Sequence, residues 1–384
     1  MIYLNSGSHT CELIRLLALT GEFPYRSLTI LGNELSWRTL VRKLNKPQDF
    51  LIPESDFRHT CRMLSISGKS SQKSIRLYKG GLPVLQAIDP EGYAYYMENY
   101  GNHPFSGNEG HVDRNHRIAE AIAMLNQAGV QTEPFLLPKL QEESFRCIIP
   151  EFPCMYHSRE IKMLGTYEEK KYHFTRLVGA VFADGRCYAL YNTRDTLMKW
   201  NGKGEEKMKD NLNALCRMNA GIQKVDAAIL FGKDEQIALR TLMSGGKQQK
   251  NGCRFDSIYK ETHFIPMSAD GIRLLQLLML PDAKENLLST LFTPNIRSYD
   301  RGGFEYDAKV GKKIIFSHID GDLSRLIRFR EAAKRLPFQF DVLCLSFQEP
   351  YLEQYLDPGF SIHVVDLQNL EEMIRENMEL DDEV

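Results

Sequence analysis

The sequence predicts a multidomain chain, α+β in its first part and α/β in its last. Three observations predict it. The first eighty residues read as short helices followed by a period-two hairpin. A second hairpin signal, Asp184-Gly185, follows a buried-strand run. Beyond residue 225, near-continuous apolar strands alternate with helices, the pattern of a sheet covered on both faces. A length of 384 residues fits two or three domains. The change in texture divides them at 1–110, 111–222 and 223–384.

A first helix spans Ser8 to Thr20 with Leu13, Leu16, Leu17 and Leu19, and Gly21 stops it. A second, Pro24 to Leu31, opens on a proline whose missing N–H is harmless in a first turn. Gly32-Asn33 turns the chain into a third helix, from Glu34 to Asn45. The period then becomes two in Arg62–Ile66 and in Ser74–Tyr78, on either side of the polar loop 68–73. Helices at 82–88, 93–100 and 115–128 follow, the last ended by Gly129.

Helix, helix, turn, helix, hairpin is a winged-helix layout. On the third helix Trp37, Leu40, Val41 and Leu44 share one side at about 100° per residue. Arg38, Arg42 and Asn45 fall on the other side, where a recognition helix presents itself to a major groove. Charge agrees with this. Residues 1–80 hold 12 Lys and Arg against 6 Asp and Glu, and no acid lies between Phe57 and Ile88. The predicted contacts to double-stranded DNA are Arg38, Arg42, Lys43, Arg62, Lys69, Lys73, Arg76 and Lys79, with Lys69 and Lys73 at the wing tip on phosphates. A solvated helix face and a lysine-guarded hairpin edge would use the same residues.

In the middle region, Leu177–Phe182 is a buried strand, Asp184-Gly185 the turn, Arg186–Thr193 the return, and Glu205–Met218 a polar helix. A restriction-endonuclease-like αβ domain has an Asp near such a hairpin and an (Asp/Glu)-x-Lys on the next strand. The carboxylates hold a metal and the lysine helps activate water. Asp184 would be the first carboxylate, but Asn192 and Arg194 stand where Glu and Lys belong. Asn is a weak metal ligand and Arg a poor base. Glu160-Ile161-Lys162 is a literal E-x-K that precedes Asp184, and Glu205 is a further acid. No catalytic set is therefore predicted from Asp184, Glu160 and Glu205. No cofactor is predicted either, and Mg2+ enters only if the chain is an endonuclease. A plain turn is the simpler reading of Asp184-Gly185.

The last region reads as strands 227–231, 263–266, 313–317, 340–347 and 362–365. Helices near 234–243, 270–280, 322–335 and 368–377 separate them, and a frayed acidic tail follows from Glu379. His318-Ile-Asp320-Gly-Asp322 opens a helix. Its acids suit helix caps, and a divalent ion would also accept them. Ser244-Gly-Gly-Lys247 lacks phosphate-loop spacing, and His173-x-x-Arg176 is a short recombinase-like match.

A formal net charge of -2 excludes a globally basic nucleic-acid protein and leaves room for a local basic face. The eight cysteines contain no C-x-x-C pair, so reduced thiols are expected. The first 20 residues show no leader, and the longest apolar run, Leu274–Leu280, is too short to span a bilayer. The expected setting is the cytoplasm, without membrane contact.

The winged-helix segment, Arg114-Asn-His-Arg117 and the Asp184 hairpin together resemble the replication-relaxation family of Gram-positive plasmids and integrative conjugative elements. The likeness covers roughly residues 8–220. It implies a winged helix followed by a domain related to restriction nucleases, in a protein of replication, relaxation or conjugation. Asn192 and Arg194 depart from an active nuclease. Replication or relaxase machinery would be partners, and a homodimer stays open. A metal-dependent endonuclease and a ligand-responsive transcription regulator are the rival readings.

Overall fold

The computed structural model describes residues 1–53, 55–101, 108–139, 149–163, 176–198, 202–219, 221–222, 224–244, 255–298 and 304–382. The chain is mixed α+β, with several small sheets. It divides into two compact units, Met1–Gln127 with Gln131–Pro138, and Ala128–Val130 with Lys139–Val384.

The first unit runs β1 (Ile2–Tyr3), α1 (His9–Thr20), β2 (Glu22–Pro24), a 3-10 helix (Tyr25–Leu31), α2 (Glu34–Leu44), β3 (Gln48–Leu51), β4 (Arg58–Cys61), β5 (Leu64–Ser67) and β6 (Ser74–Leu77). Then come α3 (Leu82–Ile88), α4 (Pro90–Tyr96) and α5 (Glu109–Gln127). Ser8 and Asn33 cap α1 and α2, each side-chain oxygen taking a first-turn N–H. Trp37 is buried and donates its indole N–H to the Leu31 carbonyl at 2.8 Å, which fixes the turn between the 3-10 helix and α2.

The strands form two three-stranded sheets, β1-β3-β4 and β2-β6-β5. β5 and β6 are the expected hairpin, with Ile66 opposite Ile75. Gly68 lets its loop close, because its φ is +81° and a Cβ there would meet the Gln72 carbonyl at 2.4 Å. β2 was not expected. It pairs antiparallel with β6, so the predicted second helix becomes a strand ending at Pro24, then a 3-10 turn. Pro24 has no N–H to give a ladder and sits at the strand's end. Buried polar groups bind α5 to this sheet. Glu22 takes Arg76 at 2.7 Å and Asn115 at 2.8 Å, and Ser74 meets His116 at 2.7 Å.

The second unit begins with β7 (Cys154–His157), α6 (Ser158–Met163), β8 (Leu177–Ala183), β9 (Arg186–Arg194), α7 (Gly202–Asn219) and β10 (Ala227–Gly232). It continues through α8 (Glu235–Ser244), α9 (Phe255–Ile258), β11 (Glu261–Pro266), α10 (Ala269–Leu278) and α11 (Ala283–Leu291). The chain ends in β12 (Ala308–Val310), β13 (Lys313–Ser317), α12 (Leu323–Ala333), β14 (Gln339–Leu345), α13 (Glu349–Tyr355), β15 (Phe360–Val365) and α14 (Leu367–Asp382).

One sheet has the order β11-β10-β9-β8-β7. β8 is antiparallel to both neighbours, and β9, β10 and β11 are parallel. β8 and β10 are buried along their whole length, as apolar runs require in a central strand. Strands β10 and β11 lie beyond residue 223, yet they complete the hairpin's own sheet. The other sheet, β12-β13-β14-β15, is parallel except for β12. Phe316, Phe329, Phe340 and Phe360 fill its core, the first pair stacked at 4.3 Å. α14 runs to Asp382, so residues 379–382 continue a helix where a frayed tail was expected.

Candidate functional site

In the first unit, α2 and the β5–β6 hairpin carry the basic residues. The outward side of α2 is Leu35, Ser36, Thr39, Arg42 and Lys43, all exposed, and Lys46 follows just past the helix. Trp37, Val41 and Leu44 are buried as expected, and Leu40 is only half-buried. The helix is thus rotated from the expected face, and Arg38 lies at its margin. Arg38 pairs with Glu34 one turn earlier, and its guanidinium lies 5.7 Å from the Tyr25 ring centroid. The Lys73 ammonium sits over the same ring at 4.4 Å.

The eight predicted DNA contacts therefore fall into two groups. Arg42, Lys43, Lys69 and Lys79 are exposed. Arg38, Arg62, Lys73 and Arg76 are half-buried and hold the unit together. Arg62 donates to the Leu64 carbonyl at 2.9 Å and to Asn45 Oδ1 at 2.8 Å, tying the end of α2 to the hairpin. Arg76 is committed to the buried carboxylate of Glu22. Lys46, exposed on the same side, is not among the eight because it lies beyond the periodic stretch. Its place beside Arg42 and Lys43 was the available signal.

The nuclease-like residues do not come together around Asp184. Asp184 is exposed in the β8–β9 turn, and its carboxylate accepts the Asp282 N–H at 2.9 Å. Asn192 and Arg194 are at the far end of β9, Asn192 about 20 Å along the strand from Arg186 beside the turn. There Thr193 is the extra residue of a β-bulge, since Phe231 pairs with Asn192 and Gly232 with Arg194. Asn192 Oδ1 accepts the Arg194 N–H at 2.9 Å, and both residues are buried.

Glu205 is buried and takes the Arg176 N–H at 3.3 Å. Glu160 is half-buried. Burial pushes its carboxyl up to about 7, against the opposing pull of Arg159. The Lys162 side chain, His173 and Gly245–Lys247 lie outside the described residues. Among the described residues no three of His, Cys, Asp and Glu are grouped to hold a metal ion.

No family model, curated protein or solved structure matches this chain. Among the described residues, no helix is long and apolar enough to cross a membrane.

Asp322 acts as a cap. One carboxylate oxygen accepts the N–H groups of Ser324 and Arg325 in the first turn of α12, at 3.0 and 3.2 Å. It also takes the Thr262 N–H at 2.8 Å, which ties this loop to β11.

Proposed function

We propose that the chain is a cytoplasmic DNA-binding protein of a mobile genetic element, acting in replication, transfer or their control. In this reading the first unit is a winged helix on double-stranded DNA. The five-stranded sheet of the second unit is a nuclease-like scaffold that does not hydrolyse. The observation that carries the reading is the exposed set Arg42, Lys43, Lys69 and Lys79, in a unit whose residues 57–88 contain no acid. α2 would enter the major groove with Leu35, Thr39 and Arg42 toward the bases, and Lys69 would neutralise phosphate from the hairpin tip. Replication or relaxase proteins are the partners this reading implies, and a homodimer would read paired half-sites.

The separation of Asp184 from Asn192 and Arg194 supports the scaffold role, because a metal needs its carboxylates within one coordination sphere. Anisotropy titrations of labelled duplex at several salt concentrations test the DNA reading. Replacing Arg42, Lys43, Lys69 and Lys79 together by Ala should flatten the slope of log K against log salt, by roughly 0.9 per lost phosphate contact. Wild-type slope and affinity in that variant would sink it. Nicking of supercoiled plasmid by the wild type with Mg2+ would favour the endonuclease instead.

A further inference from the structure

The second unit contains a cleft with two unlike walls, enclosing about 520 Å³ with its open mouth included. One wall is polar: Arg186 on β9, Glu261 and His263 on β11, and Asp320 in the loop after β13, with Lys284 of α11 at the rim. The facing wall is apolar, formed by Leu274, Leu277 and Leu278 of α10, Leu287 of α11 and Ile374 of α14. A mostly apolar lining with a few converging polar groups is the usual composition of a small-molecule site.

Backbone bonds hold the polar wall in place. The Phe264 N–H donates to the Gly321 carbonyl at 2.9 Å, and His263 pairs with Asp322 in an isolated bridge. The close approach needs glycine at 321, where φ is +68° and a Cβ would stand 2.9 Å from the Phe264 carbonyl oxygen.

The polar wall leaves donors unused. Arg186 and Glu261 form an ion pair at 2.5 Å. His263 is 3% exposed, and its Nδ1 lies 2.9 Å from the Asp320 carbonyl, so Nδ1 carries a proton. Its Nε2 has no hydrogen-bond partner and faces the Glu261 carboxylate at 3.6 Å. Burial alone would lower the imidazole. Glu261, Asp320 and Asp322 outweigh it and push the group up to about 9. Burial opposes the charge on Glu261 and Asp320, but His263 and the nearby cations hold both carboxyls below the usual range. Lys284 is exposed, and among the described residues it forms no ion pair. The wall thus sets Arg186, His263 and Lys284 against the carboxyls of Glu261, Asp320 and Asp322, and the groups left without a hydrogen bond among the described residues, Lys284 and His263 Nε2, are donors.

We propose that this cleft binds a small amphipathic monoanion, a carboxylate carried on a hydrocarbon chain. The carboxylate sits on Lys284 and Arg186 above His263, and the chain runs along the leucine wall. The carboxylate supplies acceptors to the donors at Lys284 and His263 Nε2, and the apolar wall removes the hydrocarbon from water.

Calorimetric titration of the full chain tests this with decanoate below its micellar range. Decanol and decyltrimethylammonium serve as comparators. Decanoate should saturate one site and bind at least tenfold more tightly than decanol, while the cation should not bind. Lys284→Glu changes an exposed residue, so its melting curve should match the wild type, and its decanoate affinity should fall at least tenfold. Leu277→Ser should weaken decanoate and decanol alike. A folded wild type without saturable decanoate binding overturns the proposal, as does equal affinity for decanoate and decanol. Should Lys284→Glu not fold, Lys284→Gln provides the same comparison, and unchanged decanoate affinity in that folded variant is equally fatal. No DNA enters the measurement, so its failure leaves the DNA reading intact.

Discussion

The α2–hairpin surface of the first unit and the ion-paired arginines of the second use cations in opposite ways. Arg42, Lys43, Lys69 and Lys79 stand in water, in a stretch with few acids to answer them. In the second unit Arg186 meets Glu261, Arg273 meets Glu371, Arg325 meets Asp307 and Arg330 meets Asp357. The contrast shows that the number of cations says little about their task. An exposed cation contributes little to folding and is available to an outside anion. A buried one is fixed by its partner, and its removal exposes what that partner costs. Arg76 makes the same point inside the first unit, since Glu22 withdraws it from any DNA surface.

The largest test of this contrast is Arg325. It is 5% exposed and pairs with Asp307, itself 3% exposed. It also donates to the Ser317 carbonyl at 3.2 Å, and its guanidinium stacks on Phe316 at 4.5 Å. Arg325→Leu leaves Asp307 buried without its counter-ion. The expected loss is about 3–5 kcal/mol in urea unfolding followed by circular dichroism. A loss under about 1 kcal/mol would mean that the interior charges are no more committed than the exposed ones. Arg42→Ala is the control, expected within about 0.5 kcal/mol of wild type.

Next in size is a pH effect centred on His263 of the second unit. His263 is held up at about 9, so below its unfolded value of 6.5 its contribution to stability is complete. As pH rises toward 9 the folded state loses a bound proton that the unfolded state has already released, and the contribution disappears. Stability should therefore fall between pH 7 and 9, and His263→Gln should flatten that limb. His318 has the opposite sense. Burial lowers it to about 4, so its contribution is present above 6.5 and lost as pH falls. Chemical denaturation at stepped pH separates the two. An alkaline limb unchanged in His263→Gln would show that the imidazole is not held charged.

The elements legible in the sequence are those whose local signals agree with their packing. The β8–β9 hairpin had an Asp-Gly turn and apolar strands, and α1 had a capping serine and a stopping glycine. Strands of two to four residues were not legible. β1, β3 and β4 carry no alternation of their own and are held by partners elsewhere in the chain. β2 was hidden by Pro24, which reads as a helix start. On α2 the apolar pattern placed Trp37, Val41 and Leu44 correctly. The stem of Arg38 folds along Tyr25, and that contact is invisible in a helical projection. The failure of Asp184 to meet Asn192 was readable, since Asp184 is in the turn and an extended strand carries Asn192 and Arg194 away from it. The cleft was not, because Arg186, His263, Lys284 and Asp320 come from four separate stretches and only the fold assembles them.

The smallest effect concerns the border between the two uses of charge, at Tyr25. Arg38 from α2 and Lys73 from the hairpin both rest on its ring, at 5.7 and 4.4 Å. Each contact at such a half-buried site is worth about 1 kcal/mol. Arg38 also retains Glu34, which limits how far it can swing out. Tyr25→Leu keeps a bulky apolar side chain on the 3-10 helix and removes only the π face. Stability should drop by about 1 kcal/mol, less than for Arg325→Leu. The more telling readout is the salt slope of DNA binding. If the ring holds Lys73 away from phosphate, Tyr25→Leu frees it, and the slope should steepen by roughly 0.9. If Lys73 already reaches phosphate from its perch on the ring, the slope should stay at the wild-type value while affinity falls. The first outcome places Lys73 among the residues that organise the unit, and the second returns it to the group proposed to contact DNA.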